Sequence, residues 1–364
     1  MKLKKIVSAF ESFAPLAYQE KYDNSGLAVG NPDMEVNAAL LCIDVTVEVV
    51  EEAISMGVNL VISHHPVIFK PLGKLTGSSS VEKIILLAVR NNMALYSAHT
   101  NLDNVLHGVN HKICSKLGLA EPAILAPLQQ ALKKLVTFVP DQHAEMIRNA
   151  LFDAGAGHIG DYDSCSFNNN GLGTFRALEG ANPYVGEVGK LHRENETRIE
   201  TIFPSAHQKV VIQALLKSHP YEEPAYDIFP VDNTFHLAGS GMMGRLAQPL
   251  NEIDFLEQVK TVFNCRYLRH SRLLNKPISK IAVCGGSGSF LISAAIAAGA
   301  DLFITGDVKY HEFFNAEDRI LVADIGHFES EQFTIEIFYD ILIKIFPNFA
   351  IRFSSIKTNP IYYI

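Results

Sequence analysis

The chain has 364 residues, 48% hydrophobic and 19% charged, with a formal net charge of −8. This composition excludes wholesale disorder, and the length is enough for two or three domains with cores of their own. The acidic balance gives no general attraction to phosphate backbones, and five scattered cysteines without a CxxC spacing argue against a disulfide framework or a thiolate zinc site.

The opening MKLKKIVSAFESF lacks the apolar run of a secretory signal, and no stretch reaches the roughly 20 apolar residues that cross a bilayer. A cytoplasmic location and no membrane partner are the expectation. Ala39–Ile43 reads as a buried strand, Val47–Met56 as a helix stopped by Gly57, Leu60–Ile62 and Ala94–Ser97 as further strands. The same grammar returns late in the chain. Ile281–Cys284 reads as a strand, Phe290–Ala298 as a helix stopped by Gly299, and Leu302–Ile304 and Ile320–Ala323 as strands. At an offset of 242 the two stretches share six identities in positions 42–62: Cys42/Cys284, Ala53/Ala295, Ile54/Ile296, Gly57/Gly299, Leu60/Leu302 and Ile62/Ile304. A duplicated α/β unit with mostly parallel sheets follows.

Between the copies the character changes. KKLVTFVP predicts a strand, DQHAEMIRNALFDAG a helix, and SCSFNNNGLGTFRAL a hairpin turning at Asn169–Gly173. TRIETIFP, AHQKVVIQALLKSHP and PAYDIFPV then predict strand, helix and strand. This is the pattern of a ferredoxin-like α+β domain, so the chain divides into a first core half (1–128), an insertion (129–243) and a second core half (244–364).

In a parallel sheet, ligands bind beyond the carboxyl ends of the strands. There the sequence places Ser63-His64-His65-Pro66, His99-Thr100-Asn101-Leu102-Asp103, Thr305-Gly306-Asp307 and Asp324-Ile325-Gly326-His327, with Glu331 four residues on. Three imidazoles and two carboxylates (His64, His65, Asp103, His327 and Glu331) suit a pair of divalent ions: zinc, iron, manganese, cobalt or nickel. Asp307 and His311, spaced i and i+4, are candidates for acid/base work or for orienting a ligand. Gly285-Gly286-Ser287-Gly288 lacks the third glycine of a dinucleotide loop and reads as a tight packing turn. Arg266, Arg269, His270 and Arg272 form a basic cluster best explained as a solvated helix face, so a nucleic-acid partner is not expected.

Five motifs in this order, YDNSGLAVG (22–30), ISHHP (62–66), HTNLD (99–103), ITGDVKYHE (304–312) and DIGHFESE (324–331), resemble the NIF-three-like family, whose members are often labelled GTP cyclohydrolase I type 2 homologues. GDYDSCSFNNNGLGTF and HPYEEPAYDIFP resemble the PII/CutA-like insertion of its longer bacterial members. Tyr22 and Ser25 depart from the family pattern, where Trp and Val are expected. The resemblance implies a dinuclear site with His65 and Asp103 on one ion, His64 and His327 on the other, and Glu331 bridging. It also implies a toroidal homohexamer. The function to expect is metal-assisted hydrolysis of a nucleotide or related small metabolite. The alternative is a non-enzymatic regulatory or metal-handling assembly whose insertion senses a ligand.

Overall fold

The computed structural model describes residues 1–362 and 364. It divides into two compact units, residues 1–127 with 236–364, and residues 128–235.

The first unit holds two sheets. In chain order its early strands are β1 (Gly26–Val29), β2 (Ala38–Cys42), β3 (Leu60–Ser63), β4 (Ala94–Ser97) and β5 (Ala120–Pro127). The inserted unit contributes β6 (Leu132–Pro140), β7 (Ser166–Arg176), β8 (Leu191–Pro204) and β9 (Tyr226–Val231). The first unit resumes with β10 (Gly239–Leu250), β11 (Arg269–His270), β12 (Ile278–Ser287), β13 (Leu302–Gly306), β14 (Leu321–Asp324) and β15 (Ala350–Phe353). One sheet runs β1-β4-β3-β2-β15 and the other β11-β14-β13-β12-β10-β5. The three parallel strands at the centre of each are related by the repeat: β4-β3-β2 in one, β14-β13-β12 in the other. Each trio carries an antiparallel edge strand, β1 on β4 and β11 on β14. The expected duplication is therefore a duplication of topology.

The local reasons match in the two copies. Thr46 caps the helix Val47–Ser55 by accepting from the Val49 amide. That helix buries Val49, Val50 and Ala53 against Leu40 and Val61 of the sheet. Its exit and that of the helix Ile292–Ala297 share one hydrogen-bond pattern: Val58 N–H reaches back to the Ala53 carbonyl, and Ala300 N–H to the Ala295 carbonyl. Gly57 (φ +65°) and Gly299 (φ +72°) take the left-handed turn that this cap demands. The strands β3, β4, β13 and β14 are buried along their whole length, as parallel strands covered on both faces must be. Among the described residues no helix is long and apolar enough to cross a membrane.

The inserted unit is a four-stranded antiparallel sheet in the order β7-β8-β6-β9 with the helices Ala144–Asp153 and Gln208–Ser218. This is the ferredoxin-like arrangement. Its core is its own: Leu135, Val139, Ile147, Leu151, Phe203, Val211 and Leu215 are all buried together.

Three expectations change. The insertion ends at 235, because residues from Gly239 onward form β10, which pairs with both β5 and β12 of the first unit. Asn169–Gly173 is no turn. It lies inside β7, paired residue for residue with β8 from Ser166↔Thr201 to Arg176↔Leu191, and the connection between these strands falls at 177–190. The basic cluster is no helix face either: Arg269 and His270 form the edge strand β11, Arg269 pairs with Asp324, and Arg272 lies 3.5 Å from Asp318.

Candidate metal centre

Contrary to expectation, the strand ends do not share one sheet: β3 and β4 end in one sheet and β13 and β14 in the other, and the segments that follow them bring the candidate residues together. At the end of β3 the chain turns so that the amides of His64 and His65 both donate to the Ile43 carbonyl, at 3.1 and 3.0 Å. Both rings thereby turn toward Glu331, His64 Nε2 at 3.5 Å from Oε1 and His65 Nε2 at 3.1 Å from Oε2. From β4 come His99 and, on the short helix Thr100–Asp103, the carboxylate of Asp103. The helix His327–Glu331 follows β14 and presents its two ends on one face, with Nε2 of His327 3.2 Å from Oε2 of Glu331.

Each imidazole is oriented the same way. Nδ1 of His64 donates to the Ala98 carbonyl at 2.9 Å. Nδ1 of His65 meets Asp44 at 2.7 Å, that of His99 meets Asp23 at 2.8 Å, and that of His327 meets Asp307 at 2.7 Å. With the proton fixed on Nδ1, the Nε2 lone pair faces inward. An outer acceptor that sets tautomer and ring angle is what ligating histidines carry.

The inner atoms form three groups of three; one is His64, His65 and His99, and the other two share Glu331. His65 Nε2, His327 Nε2 and Glu331 Oε2 stand 3.1, 3.1 and 3.2 Å apart. Bonds of roughly 2.1 Å at right angles would separate ligand atoms by about 3.0 Å, so the triangle fits one face of an octahedral ion. In the other group that shares Glu331, His64 Nε2 lies 3.7 Å from Asp103 Oδ1 and 3.5 Å from Glu331 Oε1. Glu331 thus turns one oxygen to each of the two. These groups differ from the pairing that the resemblance implies: His65 lies with His327, and His64 with Asp103. His99 stands outside the expected ligand set, yet its ring is 5.2 Å from those of both His64 and His65, centroid to centroid.

Whether these residues fit a cation can be judged from what they lack. His64 Nε2 and Asp103 Oδ1 are buried and have no hydrogen-bond partner among the described residues, and buried Glu331 Oε2 has only the imidazoles of His65 and His327 beside it. Such atoms within one cluster are too costly to leave uncompensated. The electrostatics agree. Burial, with the Glu331 charge beside it, pushes the Asp103 carboxyl up to about 8. Burial also works against the Glu331 carboxylate, but His64, His327 and His65 hold it well below its ordinary value. Burial opposes protonation of His65 and His327, yet Asp44 and Glu331 raise the first to about 10, and Glu331 and Asp307 raise the second to about 9. Protons on these rings do the work that a divalent cation would do better.

Three residues outside the expected set support the centre. Asp44 orients His65 and accepts from Thr358 at 2.7 Å. Asp23 orients His99 and is itself held by the Thr100 amide and by Ser25, whose hydroxyl is 2.8 Å away. Ser25, a departure from the family pattern, therefore braces an orienting carboxylate, and Tyr22, the other departure, lines the cavity. Gly286 explains the glycine-rich turn: at φ +62° it lets the backbone run beside Glu331, where a Cβ would stand 2.3 Å from Oε1. Of the two acid/base candidates, Asp307 reaches the centre through His327. It does so from a left-handed backbone (φ +55°), not from a shared helical face. His311 does not reach it: the helical turn begins only at Tyr310, and His311 is exposed, its ring against Tyr310 and Phe314.

The cavity over these atoms measures about 320 Å³, and Tyr22, Phe69 and Phe290 stand at its wall with much of their rings exposed. Fold and site together define a class: a duplicated α/β protein, interrupted by a ferredoxin-like unit, with a candidate centre of imidazoles and carboxylates at its strand ends. The chain belongs to the Duf34/NIF3 (NGG1p interacting factor 3) family, whose model matches residues 1–360. A Halalkalibacterium halodurans protein named GTP cyclohydrolase 1 type 2 homolog is 40% identical over 88% of this chain and 87% of its own length. A Bacillus subtilis protein of the same name is 39% identical over 89% of this chain and 88% of its own. A solved Bacillus cereus protein, described as related to NIF3, superposes with a TM-score of 0.84 at 38% identity, covering 100% of this chain and 99% of that one.

Proposed function

We propose that the chain is a dinuclear divalent-metal protein and a metal-dependent hydrolase of a small metabolite with a planar ring, such as a nucleotide. The observation that carries the reading is the split of Glu331 between two groups of inward-facing donors. In this reading His65, His327 and Glu331 Oε2 hold one ion, and His64, Asp103 and Glu331 Oε1 the other. Two such ions, when bound, supply Lewis acidity and lower the pKa of a water between them.

The chain's own residues do the rest. Asp44, Asp307 and the Ala98 carbonyl hold the outer nitrogens of His65, His327 and His64 and so aim the inner ones at the centre. His99, its Nδ1 held by Asp23 and its ring beside those of His64 and His65, is placed to complete the coordination. Tyr22 and Phe69, with ring centroids 6.2 Å apart, offer faces on which a planar ring stacks. The name carried by the Halalkalibacterium and Bacillus relatives supports a nucleotide as the substrate class. The homohexamer implied by the resemblance belongs to this reading and is tested by light scattering.

Element-resolved metal analysis of the reconstituted chain tests the centre, followed by a screen of nucleotides and phosphoesters with that metal restored. Near two ions per chain are expected, with both occupancy and turnover lost in His64→Ala and Glu331→Ala. Full turnover by metal-free His64→Ala protein would sink the proposal.

The alternative, a regulatory assembly, draws support from the inserted unit, whose cavity of about 790 Å³ is the larger of the two. Removing residues 128–235 discriminates. Pro127 and Gly239 already stand opposite each other in the β5–β10 pair, so a short turn can close the gap. An enzyme core keeps its turnover after this deletion; a sensor loses its response.

A further inference from the structure

We propose that the inserted unit carries a binding site of its own for an organic cation, a protonated or quaternary amine borne on an aromatic or apolar body. The cavity of about 790 Å³ lies between the face of β7 and the loops that follow β7 and the second helix of this unit. Its volume is that of a small-molecule site.

The wall has two components. The first is aromatic: the ring of Tyr221 lies 6.0 Å from Phe175 and 6.3 Å from Tyr184, centroid to centroid. The second is acidic. Glu196, Glu222 and Glu223 line the cavity against the single positive charge of Arg198, a sum of −3 and +1, or −2. Arg198 is moreover drawn 2.7 Å to Glu200. Aromatic faces beside carboxylates are the chemistry that recognises a positively charged nitrogen, and an anion would meet a wall of its own sign.

Glu196 shows that the arrangement is built. It is 9% exposed, and its Oε1 accepts from the Tyr221 hydroxyl at 2.8 Å. The other oxygen lies over Gly173, where a Cβ would be only 2.1 Å away. A glycine inside a strand costs stability and marks a place where something must come close. The glycine-rich run of β7, which makes no turn, has this as its physical reason: it leaves room for the carboxylate on the cavity wall. Glu222 accepts from the Asn182 amide at 3.0 Å and so ties the two bordering loops together.

Calorimetry on the full-length, metal-loaded chain tests the proposal with three probes of one shape: phenethyltrimethylammonium, 2-phenylethanol and phenylacetate. The cation is expected to bind at least about tenfold more tightly than the alcohol or the anion. Glu196→Gln, which keeps an acceptor for Tyr221, is expected to weaken the cation about tenfold and leave the alcohol unchanged. Stripping the metal with a chelator is expected to leave cation affinity unaltered, which locates the binding away from the metal centre. Absence of cation binding up to about 10 mM, equal binding of phenylacetate, or an unchanged Glu196→Gln variant of parental Tm would each overturn the proposal. The comparison of probe charges uses the unaltered chain and stands even if the variant fails to fold.

Discussion

Replacing Gly286 by alanine separates two effects that the structure places at one residue. The first is conformational: at φ +62° an L side chain costs about 1 kcal/mol. The second is steric. The new Cβ would stand 2.3 Å from Glu331 Oε1, against an ordinary contact of 3.4 Å or more, and 3.3 Å from His327 Cε1. Glu331 is 2% exposed and must retreat by about 1 Å, the difference between those contacts, into a space already filled by imidazoles. Gly299→Ala supplies the control, since it shares the left-handed backbone (φ +72°) but its Cβ would meet nothing within 4 Å. In chelator Gly299→Ala should lose about 1 kcal/mol of stability, and Gly286→Ala that amount and the cost of displacing Glu331 besides. Only Gly286→Ala should lose metal affinity, by about 10- to 100-fold, the usual effect of disturbing a group that positions a ligand. Competition against a chromophoric chelator reads the affinity, and thermal melts in chelator read the stability. Metal affinity within about twofold of the parent for Gly286→Ala would refute the placement of Glu331 between the two ions.

Asp44→Asn and Asp307→Asn should each weaken metal binding by about 10- to 100-fold, as the same chelator competition will show, and should also lower the chelated protein's melting temperature near neutral pH, because each removes a carboxylate that stabilises a protonated imidazole. The metal-free chain should have its own pH signature. His65 and His327 titrate at about 10 and about 9 when folded but near 6.5 when unfolded. Their protonated forms therefore stabilise the fold fully below about pH 6.5, and this contribution is lost as pH rises through about 9 to 10. Denaturant titrations at several pH values should show the decline in chelator, and metal-loaded protein should not follow it. For the inserted unit, Leu135→Ala, at a site with no exposure, should cost about 2–5 kcal/mol. A fragment of residues 128–235 should melt cooperatively, and the variant fragment at a lower temperature, as circular dichroism will record.

Much of the centre was legible because the parallel sheet imposes a rule: functional groups gather at strand ends. That rule located His64, His65, Asp103, His327 and Glu331 before any coordinate. The same rule reaches Asp44, two residues beyond Cys42 at the end of β2. Asp23 was harder. It precedes β1, and only the antiparallel pairing of Gly26 with Ser97 brings the start of β1 to the end of β4. The grouping of donors was illegible for another reason. Which imidazole faces which carboxylate depends on ring rotations set by Ala98, Asp44 and Asp307, and spacing along the chain carries no record of them. The failed hairpin at Asn169–Gly173 has the same lesson. Asn-Gly sequences favour turns locally, but eleven consecutive backbone partners along β8 outweigh a local preference, and Gly173 serves a side chain on the neighbouring strand.

The opposition of Pro127 and Gly239 in β5–β10 has a counterpart in the guest, whose first and last strands are also neighbours, with Leu132 opposite Val231. The guest thus enters and leaves its host through a narrow gate, and this sets an order of events in folding. Were residues 128–235 a floppy loop, pairing β5 with β10 would have to close a ring of 235 − 128 + 1 = 108 residues. Relative to a four-residue turn, that closure costs about 3 kcal/mol of chain entropy. A guest that folds first removes most of this cost by bringing its own ends together. Host assembly is then kinetically subordinate to the guest, and a lesion buried in the guest's core slows the pairing of two strands that it never touches.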